Sequence, residues 1–209
     1  MGTLRILQRL IYLSIFKFGL NLLDVMQQYA IILTSMKMYK GQHVVLRPFE
    51  KEDLEQYRTW VNDAKIAHLI DRATPVTKRE HENWYVDLVD SNNATVFAIA
   101  TVDDDKYVGN VWLWDINWRH RKAEVRILIG DIDYHSKGFG AEAINLISKY
   151  AYDKLNLNRL YAYIIATNNR AEKAFKKAGF AVEGILRKDR YIDGVYQDVL
   201  LMAMLRNKE

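Results

Sequence analysis

The alternation of apolar and polar residues changes period along the chain, and each change predicts an element. After Gly41, side chains alternate in the manner of a short strand, which Pro48 ends. Apolar residues then recur at helical spacing at Leu54, Tyr57 and Val61, which predicts a first helix. The chain therefore begins its regular pattern with a strand and a helix.

A second helix is predicted to begin at Thr77. Thr77 and Glu80 stand at the spacing of a capping box, in which each side chain bonds the other residue's backbone N–H. The residues between the two helices, including Arg72 and Pro75, are predicted to form a loop.

The rest of the chain alternates strand-like and helix-like runs. Strands are predicted at 95–101, 107–116, 122–130, 159–166, 180–186 and 195–205, with Asp193-Gly194 as a hairpin turn. Helices are predicted after the loop at 131–140 and at 169–178, the latter closed by Gly179. This order predicts an α/β domain with a mixed sheet.

The first part of the chain has a different pattern. Residues 4–33 are mostly apolar, with polar residues at helical spacing that form a narrow stripe. Lys17 and Asp24 interrupt the run that a spanning helix needs, although a helix of this kind can contact a membrane surface or a partner. We therefore divide the chain into a hydrophobic helical extension at 1–38, or upstream translated sequence, and a domain at 39–209.

Composition narrows the class of protein. The chain has 209 residues, of which 50% are hydrophobic and 27% are charged, so it can bury one full core and is not a disordered chain. It has no cysteine, which excludes disulfides, thiolate metal sites and cysteine nucleophiles. We expect a reducing compartment, and hence a cytoplasmic protein.

Charge and histidine spacing exclude two further classes. Residues 1–35 hold three basic residues and one acidic residue, and so carry half of the formal net charge of +4. The nearly balanced remainder lacks the basic surface of a nucleic-acid binder. The five histidines show no metal-ligand spacing, so we expect no nucleic acid and no metal.

Gly138-Phe139-Gly140 lies where a strand is predicted to pass into a helix. Unpaired N–H groups at such a junction bind anions, and glycine lets a phosphate approach closely. The letters of a P-loop are absent, and a dinucleotide fingerprint needs an acidic residue about 20 positions on. Tyr161–Tyr163 stand there instead, so the sequence context contradicts a dinucleotide fingerprint.

The motifs around this loop resemble the Gcn5-related N-acetyltransferase (GNAT) superfamily. The resemblance spans about residues 42–206 and extends to the branch of ribosomal-protein alanine, spermidine and amino-sugar acetyltransferases. It rests on the stretches Ala123–Gly130, Tyr134–Ala143, Asn168–Ala171, Phe175–Phe180, Glu183–Arg187 and Asp193–Asp198.

The resemblance implies a GNAT-like, mostly antiparallel sheet flanked by helices, and transfer of an acetyl group from acetyl-CoA to an amine. Strand backbone would pair with the pantetheine arm, and loop amides would hold the pyrophosphate. His135 departs from the Gln or Arg usual at its position. The residues implied for the cofactor are Ile127, Leu128, Ile129, His135, Ser136, Lys137, Gly138, Phe139, Gly140, Ala141, Asn168 and Phe175.

Glu124 is the candidate general base, since relatives carry acids at this strand position; the alternative is a glutamate paired with Arg126. Phe175 stands where many relatives have a tyrosine that protonates the leaving thiolate. Tyr191 is the candidate substitute, or else an ordinary strand aromatic. Asn168 either bonds pantetheine or caps the following helix.

The acceptor region, residues 64–82, lacks the carboxylate excess that polyamine recognition favours. We rank a small amine or amino sugar first, a protein N-terminus second and a polyamine third, with Arg72 and Trp114 as substrate contacts. A non-catalytic CoA-binding scaffold is the alternative from another class, and a homodimer stays open. Without cysteine, direct attack by the amine on the thioester is the favoured route.

Overall fold

The computed structural model describes residues 39–206 of the chain. The predicted extension at 1–38, with its membrane contact, lies outside the described residues. Within the described part, no helix is both long enough and apolar enough to cross a membrane.

Seven strands in residues 39–206 form one sheet in the order β1-β2-β3-β4-β5-β7-β6. The pairing between β4 and β5 is parallel, and the other pairings are antiparallel. The strands are β1 Val44–Pro48, β2 Thr95–Thr101, β3 Tyr107–Asn117, β4 Lys122–Ile129, β5 Arg159–Ile165, β6 Ala181–Ile192 and β7 Val195–Leu205. The α-helices are α1 Leu54–Val61, α2 Ala64–Leu69, α3 Lys78–Val89, α4 Phe139–Asp153 and α5 Asn169–Lys177.

The predicted mixed, mostly antiparallel sheet flanked by helices is confirmed. The capping box of α3 is present, because the Thr77 side chain accepts from the Glu80 N–H and the Glu80 carboxylate accepts from the Thr77 N–H. Gly179 closes α5 with φ +94°, and Asp193 and Gly194 turn the last hairpin with φ +49° and +84°.

Two elements differ from the prediction. The helix α2 was not predicted; Asp63 caps it by accepting from the N–H groups of Lys65 and Ile66, and Ile66 is its buried residue. The strand β6 runs on to Ile192 instead of ending at Leu186, because the hairpin pairs it further with β7.

The helices pack on both faces of the sheet. Ile144 and Ile147 of α4 are fully buried against one face, together with Phe175 of α5. On the other face, Trp60 of α1 packs with Trp112 and Leu128 of β3 and β4. The helices α1, α2 and α3 therefore pack on this second face of the sheet.

The parallel strands β4 and β5 pair over only part of their length. They pair only at Lys122 with Arg159, Ala123 with Leu160 and Glu124 with Tyr161. Beyond these pairs, β4 continues to Ile129 and β5 continues to Ile165 without pairing to each other. The sheet thus has a V-shaped opening at its centre.

Candidate active site

A cleft of about 620 Å³ lies at the opening between β4 and β5. Its floor is built by β4 and β5, and its far wall by α1, the segment from α2 to α3, and α3. Asn168 at the start of α5 and Phe175 within α5 also line it. The cleft therefore collects residues from both the predicted cofactor side and the predicted acceptor side.

The backbone of β4 presents alternate residues to the opening. The N–H of Gly130 donates to the carbonyl oxygen of Val108 at 2.9 Å, on the β3 side. Because backbone groups alternate sides along an antiparallel strand, Ile127 and Ile129 point theirs into the opening. The expected backbone role of Leu128 is corrected, since its N–H and C=O face β3 and only its side chain lines the cleft.

The glycine loop leads directly into α4. Gly138 is the N-cap residue, in the left-handed region at φ +91°, and Ser136 also has a positive φ of +59°. The first N–H groups of a helix have no partner within it, so the start of α4 offers donors to an anion. The Nζ of Lys177 lies 3.8 Å from where a β-carbon on Gly138 would stand. Backbone donors and a cation therefore meet at this loop, which holds the predicted residues Ser136, Lys137, Gly138, Phe139, Gly140 and Ala141.

His135 links three parts of the cofactor side. Its Nε2 lies 2.7 Å from the carbonyl oxygen of Ile129, and its Nδ1 lies 2.7 Å from Nη1 of Arg170. Since arginine only donates, Nδ1 accepts and Nε2 carries the proton. Both ring nitrogens therefore form hydrogen bonds within the protein. The ring connects the end of β4 to the start of α5 and so holds the edge of the opening in place.

Substitution of His135 tests whether its two hydrogen bonds hold the cofactor side of the cleft in place. We expect His135→Ala to raise the KM for acetyl-CoA by roughly thirtyfold at most, because the two lost hydrogen bonds are worth about 1 kcal/mol each, while kcat changes little. Initial rates at varied acetyl-CoA measure the effect. The control is His120→Ala, an exposed turn histidine. Equal KM values in the two variants would contradict the role.

Asn168 performs the capping role that was one of its two predicted alternatives. Its Oδ1 accepts from the N–H of Ala171 at 3.1 Å, and the residue also lines the cleft. The Nδ2 of the same side chain is a donor that this cap does not use. Its bond to pantetheine stays a prediction.

The two roles of Asn168 can be separated by one substitution. Asn168→Asp keeps an oxygen to cap α5 but removes the amide donor, so we expect unchanged thermal stability and a several-fold higher KM for acetyl-CoA. Asn168→Ala should also lower the melting temperature. If Asn168→Asp leaves the KM for acetyl-CoA unchanged, the residue is a cap only.

The ion pair that was one of the two alternatives predicted for Glu124 is present, and the role of general base stays a prediction. Its carboxylate accepts from Nη2 of Arg126 at 2.7 Å, and the side chain, 8% exposed, also lines the cleft. The guanidinium of Arg126 in turn lies 4.9 Å from the ring centroid of Trp114. The ion pair therefore orients a carboxylate at the point where β4 and β5 separate.

Two tyrosines on β5 lie beside Glu124, and the sequence analysis did not single them out. Tyr163 lines the cleft, and its ring packs edge-on against Tyr161 at 5.8 Å. Burial raises the pKa of Tyr161 to about 12, and the charges of Asp115 and Glu124 add to this shift. Tyr161 therefore keeps its proton at neutral pH. The strand alternation that places both rings on one face was the available signal.

The two candidates for proton donation to the thiolate differ in position. Phe175 is 3% exposed, packs against Phe180 at 5.0 Å and lines the cleft, but it has no proton to give. Tyr191 is 63% exposed, packs against Tyr196 and does not line the cleft. The expectation for Tyr191 is therefore corrected. Glu124 is the predicted catalytic residue that the fold brings to the cleft.

The acceptor side contains the predicted Arg72 and Trp114, together with an aromatic cluster that the sequence analysis missed. The rings of Tyr57, His81 and Trp84 are nearly parallel, with centroids 5.1 to 5.4 Å apart. Burial lowers the pKa of His81, as do the charges of Arg58 and Arg72, so the imidazole is neutral at neutral pH. The aromatic cluster thus forms an uncharged wall.

Comparison with known proteins agrees with this geometry. The acetyltransferase (GNAT) domain family model matches residues 43–181. The probable N-acetyltransferase YjcK of Bacillus subtilis is 30% identical over 178 residues, covering 80% of this chain and 97% of that protein. The spermidine N(1)-acetyltransferase of Escherichia coli K12 is 29% identical over 171 residues, covering 82% and 90%.

A solved structure matches as well. The spermidine N-acetyltransferase from Vibrio cholerae, in complex with CoA and spermine, superposes with a TM-score of 0.73 at 30% identity. The match covers 78% of this chain and 95% of that one.

Proposed function

Because the chain belongs to the GNAT family of N-acetyltransferases, we propose that it transfers an acetyl group from acetyl-CoA directly to a primary amine in the cleft between β4 and β5. The observation that carries the proposal is the V-shaped opening, with the backbone of β4 on one side and the glycine loop at its end. The acceptor enters from the side of α1, α2 and α3.

Acetyl-CoA is the co-substrate, and its parts match the donors along the opening. The backbone groups of Ile127 and the N–H of Ile129 pair with the pantetheine arm in the manner of an added strand. The amides of residues 136–141 receive the pyrophosphate, and Lys177 offsets its charge. This assignment gives the pantetheine amides and the pyrophosphate partners of opposite polarity.

Glu124 receives the proton of the attacking amine. An alkylamine is mostly protonated at neutral pH, so the nitrogen needs a base, reached directly or through water. The neutral nitrogen then attacks the thioester carbonyl, and a C–N bond forms in a tetrahedral oxyanion. The oxyanion collapses as the C–S bond breaks, and the second nitrogen proton passes to water. A β4 N–H that faces the opening stabilises the oxyanion. The thiolate leaves without an acid at Phe175, which its modest basicity permits.

Direct transfer has a kinetic signature. The chain has no cysteine to hold the acetyl group, which favours direct transfer, and direct transfer requires both substrates to be bound together. Initial rates with both substrates varied should give intersecting double-reciprocal lines. Parallel lines, or an acetylated protein isolated without acceptor, would indicate a covalent intermediate and contradict direct transfer.

The acceptor is proposed to be a small amine or an amino sugar. A polyamine is the second candidate, and the spermidine acetyltransferases among the relatives support it. A protein N-terminus is the third. We also propose a cytoplasmic location, since a chain without cysteine has no need of an oxidising compartment.

A further inference from the structure

The acceptor side of the cleft is lined by equal numbers of acidic and basic side chains. These are Asp71, Glu80 and Glu124, and Arg72, Arg126 and Arg190. Equal numbers alone do not decide which charge the cleft can receive. The decision depends on which of these groups already have a partner within the protein.

Two of the carboxylates are held by arginines. Glu124 accepts from Arg126 at 2.7 Å, and the carboxylate of Asp71 lies 3.1 Å from Nε of Arg190. Arg190 is also paired with Asp189, at 2.8 Å. Each of these two carboxylates that line the cleft therefore already has an arginine partner.

The third carboxylate is used by the fold. One oxygen of Glu80 accepts from both the N–H and the hydroxyl of Thr77, at 2.8 and 2.7 Å, as part of the capping box of α3. These hydrogen bonds hold the carboxylate at the helix start and lower the pKa of Glu80, and the charges of Arg72 and Arg79 add to this shift. It is therefore a structural group of the helix start.

Arg72 differs in its pairing from the other charged groups that line the cleft. Among residues 39–206, no carboxylate forms an ion pair with its guanidinium. Its backbone N–H donates to the carbonyl oxygen of Ala67 at 2.9 Å, which fixes the segment that carries it. Burial lowers the pKa of His81, and the charges of Arg58 and Arg72 add to this shift, so Arg72 acts on the aromatic cluster.

These observations bear on the acceptor class. A polyamine brings two or more ammonium groups, and an ammonium beside Arg72 would meet a positive charge, while the carboxylates that line the cleft already have partners within the protein. A carboxylate or phosphate, by contrast, matches the planar fork of an arginine and can accept two hydrogen bonds from it. Glu124 and Arg72 both line this cleft of about 620 Å³.

We propose that the acceptor is an amine that also carries a carboxylate or phosphate group, and that Arg72 binds this negative group while Glu124 faces the amine. The inference rests on the proposed function, because it concerns the acceptor of that reaction. The spermidine acetyltransferases among the relatives suggest a polyamine acceptor. The pairing of the charged groups in this cleft instead favours an acceptor that carries a negative group.

The test compares acceptors that differ only in the negative group. Glucosamine 6-phosphate is paired with glucosamine, and alanyl-alanine with alanyl-alanine amide, while spermidine represents the polyamines. We expect the anionic member of at least one pair to have a kcat/KM roughly ten- to a hundredfold higher, as for a charge-assisted hydrogen bond. The pair that shows this preference tells whether phosphate or carboxylate is the group bound.

Arg72→Gln should abolish that preference through the KM for the acceptor and leave the KM for acetyl-CoA unchanged. Arg79→Gln, on an exposed arginine that does not line the cleft, is the matched control and should keep the preference. A higher kcat/KM for spermidine than for every anionic acceptor, or a preference that survives Arg72→Gln, overturns the inference alone. Absence of thiol release with every acceptor overturns the proposed function, and the inference with it.

Discussion

Glu124→Gln is expected to lower kcat by roughly a hundredfold or more, the usual contribution of a general base. Glutamine has the same shape and its oxygen can still accept from Arg126, which holds the native carboxylate at 2.7 Å. The variant should therefore fold and bind acetyl-CoA with nearly unchanged affinity. It should also lose the acidic limb of the pH–rate profile, because no carboxylate is left to protonate. Rates across a pH series, with CoA binding by calorimetry, measure both effects.

A second glutamate provides the control for this variant. Glu183 also forms an ion pair with an arginine, Arg159, but it lies on the sheet surface away from the cleft. Glu183→Gln should leave kcat and the pH profile as they are. If Glu124→Gln keeps the acidic limb, then Glu124 is only the ion-pair partner of Arg126, and another group or a water chain removes the proton.

Gly138→Ala is expected to raise the KM for acetyl-CoA by tenfold or more. Gly138 has φ +91°, a conformation that costs a residue with a β-carbon about 1 kcal/mol, so the loop is strained out of the turn that aims its amides. Each lost bond from an amide to a phosphate is worth about 1.5–3 kcal/mol. Acetyl-CoA titrations and thermal unfolding measure the affinity and the stability separately.

The last hairpin contains the matched glycine. Gly194 has φ +84° with open space around it, so Gly194→Ala introduces the same kind of backbone strain far from the α4 N-terminus. Both variants should lose a similar amount of stability. A similar rise in KM for acetyl-CoA in both would show that strain alone is responsible, and it would remove the glycine loop from the proposed co-substrate site.

The predictable parts of the fold are those that depend only on residues close together in the sequence. The capping box of Thr77 and Glu80 lies within four residues, and the Asp193-Gly194 turn within two, so each is fixed by neighbours along the chain. The helix α2 was missed because six residues are too few to show a helical period.

Residues of the site could be predicted only where they belong to a recognisable sequence motif. His135 and Arg170 are 35 residues apart, and their contact depends on how α5 packs beside the loop. The aromatic cluster likewise brings Tyr57 of α1 against α3. Tyr191 was expected near the cleft from its hairpin, but strand pairing turns it to the surface. Such placements follow from tertiary packing, which local patterns do not contain.

The central claim is that this cleft catalyses acetyl transfer to an amine. The most direct measurement is release of the CoA thiol from acetyl-CoA by the purified full-length chain, with and without amine acceptors, together with mass spectrometry of the acceptor. The account predicts thiol release that depends on the amine and matches, mole for mole, the formation of N-acetylated acceptor. Tight binding of CoA with no amine-dependent release across the acceptor panel would contradict it and would support a CoA-binding scaffold instead.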